Sequence, residues 1–177
     1  MLYFIIIGAI LVIIAICVMM FLYFKNKYSF LYIKINEAEN NLDILLQKKI
    51  EILLKIQQLL EKKEVEDLPD VIELKGKKTD HHTLYLQLNQ KMNAFTKMID
   101  DYDDKVMDME LDKMLDILND NENDIRAAIK YYNDNATDIQ YYAHRFPSNI
   151  VKKLGHYQDT EAYKIAKPDI FSILSNN

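Results

Sequence analysis

Between Leu111 and Phe146 the apolar residues recur in alternating steps of four and three. They are Leu111, Leu115, Leu118, Ile125, Ile129, Tyr132, Ala136, Ile139, Ala143 and Phe146, and Pro147 closes the row. Such alternation marks one face of a helix laid along other helices. A single member of the row, Glu122, is charged. The pattern predicts a helix through Arg145, stopped at Phe146-Pro147 because a residue before Pro avoids the helical region.

An earlier row has the same spacing: Ile35, Ala38, Leu42, Leu45, Ile52, Ile56 and Leu59, with Lys49 at its one charged step. A second row, Leu46, Ile50, Leu53 and Leu60, widens the stripe. That width suits a bundle better than a two-stranded zipper. No Gly or Pro occurs between Ala9 and Leu68, so this helix is expected to continue from the segment before it and to end near Val65.

Glu66 to Asp80, with Pro69, Gly76 and Lys75-Gly-Lys-Lys78, is the first break. A helix from near His81 carries Leu88, Met92, Phe95, Ile99 and Tyr102. The row from Leu111 is out of phase with it, which places a second break between Asp101 and Asp108. The aspartates there favour turns and helix N-termini. Beyond Pro147, Ser148 is expected to N-cap a short helix through Leu154, with Gly155 just past its end. Thr160 to Ala166 has room for another turn or two.

Leu2 to Phe24 is apolar without a charge. As a helix it spans about 34 Å, against a hydrocarbon core of roughly 30 Å. It lacks the basic start and small-residue cleavage site of a signal peptide, so it reads as an uncleaved anchor. Lys25, Lys27 and Lys34 follow it and no basic side chain precedes it. The positive-inside rule then puts the N-terminus outside and the body in the cytoplasm. The expected organisation is an anchor over 1–25 and a helical domain over 26–177. Tyr23 and Tyr28 bracket the exit, where amphipathic rings favour the interface, and lipid headgroups lie within reach of Lys25 and Lys27.

Composition narrows the rest. Gly and Pro number three each in 177 residues, below the usual roughly 7% and 5%. Few turn formers mean long elements, hence helices. The net charge of −5 gives no footprint for phosphate backbones, so nucleic acid is not an expected partner. The single cysteine, Cys17, lies in the apolar run. It excludes a disulfide framework and a Cys-based zinc site.

Candidate chemistry is sparse. Glu122 on an apolar row needs a partner if buried, and Lys49, the charged gap in the other row, is the expected one. Asp120-x-Glu122-x-Asp124 superficially resembles a calcium loop, but position six is Ile125 rather than Gly and the closing Glu is missing. His81, His82, His144 and His156 form no Glu-x-x-His or His-Glu-x-x-His. No phosphate loop and no recognisable nucleophile occurs. The pairs Tyr131-Tyr132 and Tyr141-Tyr142 allow one ring in the core and one at the rim. No catalytic residue, metal site or cofactor is expected.

Glu122-Asn-Asp-Ile-Arg-Ala-Ala-Ile-Lys-Tyr-Tyr-Asn133, then Phe146-Pro-Ser-Asn149 and Gly155-His-Tyr157, resembles the C-terminal signature of LemA family proteins. Its carriers here are Glu122, Ile125, Tyr132, Asn133, Phe146, Pro147, Asn149 and Gly155. Upstream, Leu42-Asp43 opens a segment similar to the family's Ile-Asp-Val-Gln-Leu-Lys-Arg-Arg. Tyr102 falls where the family has Tyr-Pro-Asp. Leu54, Lys55, Asp103 and Ile129 depart from the family's Pro, Asn, Pro and Arg.

The resemblance implies an all-α fold: one N-terminal transmembrane helix, then an elongated antiparallel, up-and-down four-helix bundle. It implies no activity. The expected role is a non-enzymatic scaffold or adaptor at a bacterial cell membrane, with the bilayer and other membrane proteins as partners. A metal-dependent or regulatory enzyme with an acidic site, or a coiled-coil structural oligomer, is the alternative.

Overall fold

The computed structural model describes residues 1–76, 80–102, 107–157, 160 and 162–163. Among the described residues it is all-helical, without strands: α1 (Leu2–Glu61), α2 (His81–Tyr102), α3 (Met109–Ala143) and α4 (Ser148–Leu154), with one 3-10 turn at Ile72–Leu74. The chain splits into two compact units. One comprises Met1–Ala38 with Tyr131–Ala162, the other Glu39–Lys130 with Tyr163–Asn177.

The unit built on Glu39–Lys130 holds the main core. Leu46, Leu53, Ile56 and Leu60 of α1, Leu88 and Phe95 of α2, and Leu111 and Ile125 of α3 are fully or almost fully buried in it. Here α1 and α3 are antiparallel: Lys63 pairs with Asp108, and Lys49, fourteen residues back, pairs with Glu122. In contrast, α1 and α2 run parallel, since Asp43 faces His81 and Lys49 reaches Asn89. The chain between them must therefore travel back along α1.

Residues 62–76 make that return; 77–79, including the end of the Lys75–Lys78 run, lie outside the described residues. Val65, Val71 and Leu74 are buried along it, and Glu73 pairs with Lys91. The up-and-down order therefore holds for four segments, but the second is an irregular strip rather than a helix. Pro69, together with left-handed backbone at Glu64, Asp67 and Gly76, keeps it from coiling.

The end of α1 corrects the expected boundary. The helix ends at Glu61, one further N–H (Lys62) bonding the Gln58 carbonyl, and the N–H of Val65 donates to the Leu60 carbonyl while that of Glu64 donates to Glu61. This is a Schellman turn with Glu64 in the left-handed position and Val65 folded onto the core. Val65 extends the apolar stripe from outside the helix, so the stripe alone overshoots.

The phase change after Tyr102 is a break: α2 ends at Tyr102 and α3 starts at Met109. Residues 103–106 within it lie outside the described residues. Asp108 caps α3, its Oδ1 accepting the N–H groups of Glu110 and Leu111 at 3.1 and 2.8 Å. Asp80 caps α2 through the N–H of Thr83 at 3.1 Å.

In the other unit, Tyr28, Leu31 and Ile35 of α1, Tyr132, Ala136 and Ile139 of α3, and Val151 of α4 are buried. Tyr28, expected at the membrane exit, is buried within its own unit. Its ring stacks on Tyr157 at 4.9 Å, and Tyr157 stacks in turn on Tyr32 at 5.6 Å. From Leu2 to Met20 every residue of α1 is exposed.

Around α4 the local reading needs three corrections. α3 ends at Ala143, not Arg145, and Phe146 leaves the buried row to stand exposed. Ser148 is the first residue of α4 and not its cap. Its Oγ bonds the Tyr142 and Arg145 carbonyls at the end of α3 and in the turn that follows. Gly155 has a right-handed backbone, and His156 takes the left-handed position instead. Gly155 is small for a steric reason: a Cβ there would lie 2.4 Å from Cε2 of the Tyr157 ring. Of the turn expected at 160–166, only Thr160, Ala162 and Tyr163 are described, and they are not helical.

Candidate functional site

The two charged gaps in the apolar rows meet. Lys49 on α1 and Glu122 on α3 are buried, and Lys49 Nζ lies 2.5 Å from Glu122 Oε2. Neither charge is stable there alone, because transfer from water costs several kcal/mol per ion unless hydrogen bonds replace the lost solvent. The surroundings supply them. Lys49 Nζ also donates to Asn89 Oδ1 at 2.5 Å and sits 5.3 Å from the Tyr85 ring centroid. Glu122 Oε1 accepts the Tyr85 hydroxyl at 2.9 Å, and Arg126 Nε is 3.9 Å away.

Burial pushes the Lys49 ammonium below its ordinary range, and the Glu122 charge and hydrogen bond oppose that push. Burial and the negative charge of Glu122 both raise the Tyr85 phenol. Beside this cluster, Asn121 Nδ2 donates to the Leu45 carbonyl at 3.2 Å, while its Oδ1 is buried without a partner. Both Glu122 oxygens are engaged by side chains of this chain. The cluster is a closed polar clasp tying α1, α2 and α3 together.

Tyr85, Asn89 and Asn121 escape a reading of the rows. Tyr85 stands one three-residue step before Leu88, so extending the α2 row upstream would have found it. Asn121 lies between Leu118 and Ile125, where a second row would pass.

The other singled-out residues scatter. Leu42 and Ile125 are core, and Tyr132 is buried while Tyr131 is exposed. Asp43 lies 3.5 Å from His81. Tyr102 is exposed at the last position of α2. Asn133 and Asn149 are half-buried, and the N–H of Asn149 donates to the Arg145 carbonyl. The Phe146-Pro147 peptide is cis. Asp120, Glu122 and Asp124 lie on α3, where residues two apart point to different sides. They form no loop, and among the described residues no three His, Cys, Asp or Glu side chains are placed to hold a metal ion.

No curated protein and no solved structure matches the chain. Compared with protein families, its residues 38–170 match the LemA family, and the match takes in the clasp, α2, α3, α4 and the Gly155 turn. With more than half of its length matched, the chain belongs to the LemA family.

Proposed function

We propose that this protein is a single-pass, membrane-anchored scaffold without enzymatic activity, its body lying on the cytoplasmic face of a bacterial cell membrane. The observation that carries this reading is the exposed apolar half of α1. A helix long and apolar enough to cross a membrane begins at Leu2, and none of its most apolar window is covered by the rest of the chain. Soluble monomers rarely expose apolar patches above a few hundred Å², whereas a bilayer core of roughly 30 Å accommodates such a run. The basic residues after the run favour the cytoplasmic side for the body.

The clasp fits a structural role, since Lys49, Tyr85 and Glu122 bond one another across three helices. Other membrane proteins are the partner class that such an anchor brings within reach. Proximity labelling in cells, with the label fused to the body, tests this. Recovery of a reproducible set of membrane proteins is expected. A background indistinguishable from a free label, or stoichiometric metal in the purified protein, contradicts it.

A further inference from the structure

Phe146, Ile150 and Leu154 follow one another in steps of four and are 79%, 47% and 64% exposed. Ile150 and Leu154 lie one turn apart on the exposed side of α4, with Phe146 just before the helix, while Val151 and Ser148 are buried. Among the described residues nothing covers this row, and the helix is only seven residues long. Its place in the fold says what would. The Tyr28 hydroxyl contacts the Ser148 carbonyl at 3.4 Å, and the Phe24 and Tyr142 rings lie 6.3 Å apart. Phe24 ends the apolar run, and Tyr28 is four residues beyond it, about 6 Å along the helix axis. The headgroup layer has about that depth on each side of the hydrocarbon. The start of α4 is therefore held at headgroup level if α1 spans.

Charge agrees. Stretches 25–36 and 139–157 contain Lys25, Lys27, Lys34, Arg145, Lys152 and Lys153 and no Asp or Glu, within a chain of net charge −5. An exposed apolar row flanked by basic side chains is the composition of an interfacial helix on anionic lipid. A neighbouring protein surface would not call for both features at this depth.

We infer that α4, with Phe146 before it, docks on the anionic headgroup layer of the membrane that α1 crosses, inserting Phe146, Ile150 and Leu154. This rests on the spanning role of Leu2 to Phe24. The docked helix is a second, reversible contact that fixes how this unit sits on the bilayer.

The test uses the full chain with Cys17→Ala, carrying an environment-sensitive fluorophore on Ile150→Cys or, separately, on Val12→Cys. Each is reconstituted into phosphatidylcholine vesicles with and without phosphatidylglycerol. With anionic lipid, the probe at 150 is expected to shift to the blue and to be quenched by shallow nitroxide lipids. Adding Lys152→Glu and Lys153→Glu should remove most of that response. A probe at 12 in the bilayer with a probe at 150 in water overturns the docking and leaves the span. A probe at 12 in water overturns both. A blue shift at 150 without lipid quenching means that protein, not lipid, covers the row, and also overturns the docking.

Discussion

Lys49 and Glu122, seventy-three positions apart in the chain, form a buried ion pair with Nζ 2.5 Å from Oε2. Each occupies the one charged step of its apolar row, so the pair also sets the register of α3 against α1. Breaking a buried pair from one side strands the other charge, at about 3–5 kcal/mol. Lys49→Met and Glu122→Gln should each destabilise by that order in denaturant titrations. The double variant should cost less than the sum of the two. Strict additivity would show that the charges do not interact.

Tyr85 is the third member of the clasp. Tyr85→Phe removes its hydrogen bond to the Glu122 carboxylate and should cost about 1.5–3 kcal/mol near neutral pH. The phenol is raised in the folded chain above its ordinary 10.0. As pH climbs past that value the unfolded chain loses the proton first, so Tyr85 lowers stability on the alkaline limb. The lowered Lys49 works in the opposite sense below 10.5, because there the unfolded chain holds a proton that the folded chain has given up. Stability measured from pH 8 to 11 should therefore fall less steeply for Tyr85→Phe than for the parent. Parallel curves would contradict the shift.

Asp108 joins the C-terminal end of α1 to the start of α3. It pairs with Lys63 and caps two N–H groups of α3, and these contacts hold its carboxyl below the ordinary 3.8. A depressed carboxyl contributes stability that is present above the unfolded value and lost as pH falls through the folded one. Asp108→Ala should lower the melting temperature at neutral pH, with Asp108→Asn less harmful because it keeps a cap. The difference between parent and Asp108→Ala should shrink on acidification below pH 4. A constant difference would mean that the charge is not involved.

Gly155 is required by the ring that lies over it, not by its own backbone angles. Gly155→Ala forces the Tyr157 ring away from Tyr28 and should destabilise by about 1–3 kcal/mol, the usual cost of overpacking. Adding Tyr157→Ala should make the alanine at 155 nearly neutral. An equal penalty with and without the ring would place the strain in the backbone.

The helices are legible where burial keeps a period. The rows of α1, α2 and α3 locate three elements, and their two charged gaps locate the heart of the clasp. The all-α class and the family follow from the same residues. The return segment is not legible, because Val65, Val71 and Leu74 are buried from an irregular backbone that has no period to read. Tyr102 and Phe146 continue their rows in spacing yet are exposed, since spacing does not reveal where a helix stops. Ser148 and Gly155 sit where local caps are expected, but one serves the end of α3 and the other makes room for Tyr157. Such roles depend on what packs nearby, not on neighbours in the chain.

The spanning role of Leu2 to Phe24 is most directly tested by cysteine accessibility in intact cells, in a Cys17→Ala background. A membrane-impermeant maleimide should label Tyr3→Cys from outside, label Glu39→Cys only after permeabilisation, and fail to label Val12→Cys in either case. Labelling of Glu39→Cys in intact cells would invert the orientation. Ready labelling of Val12→Cys would contradict the span itself.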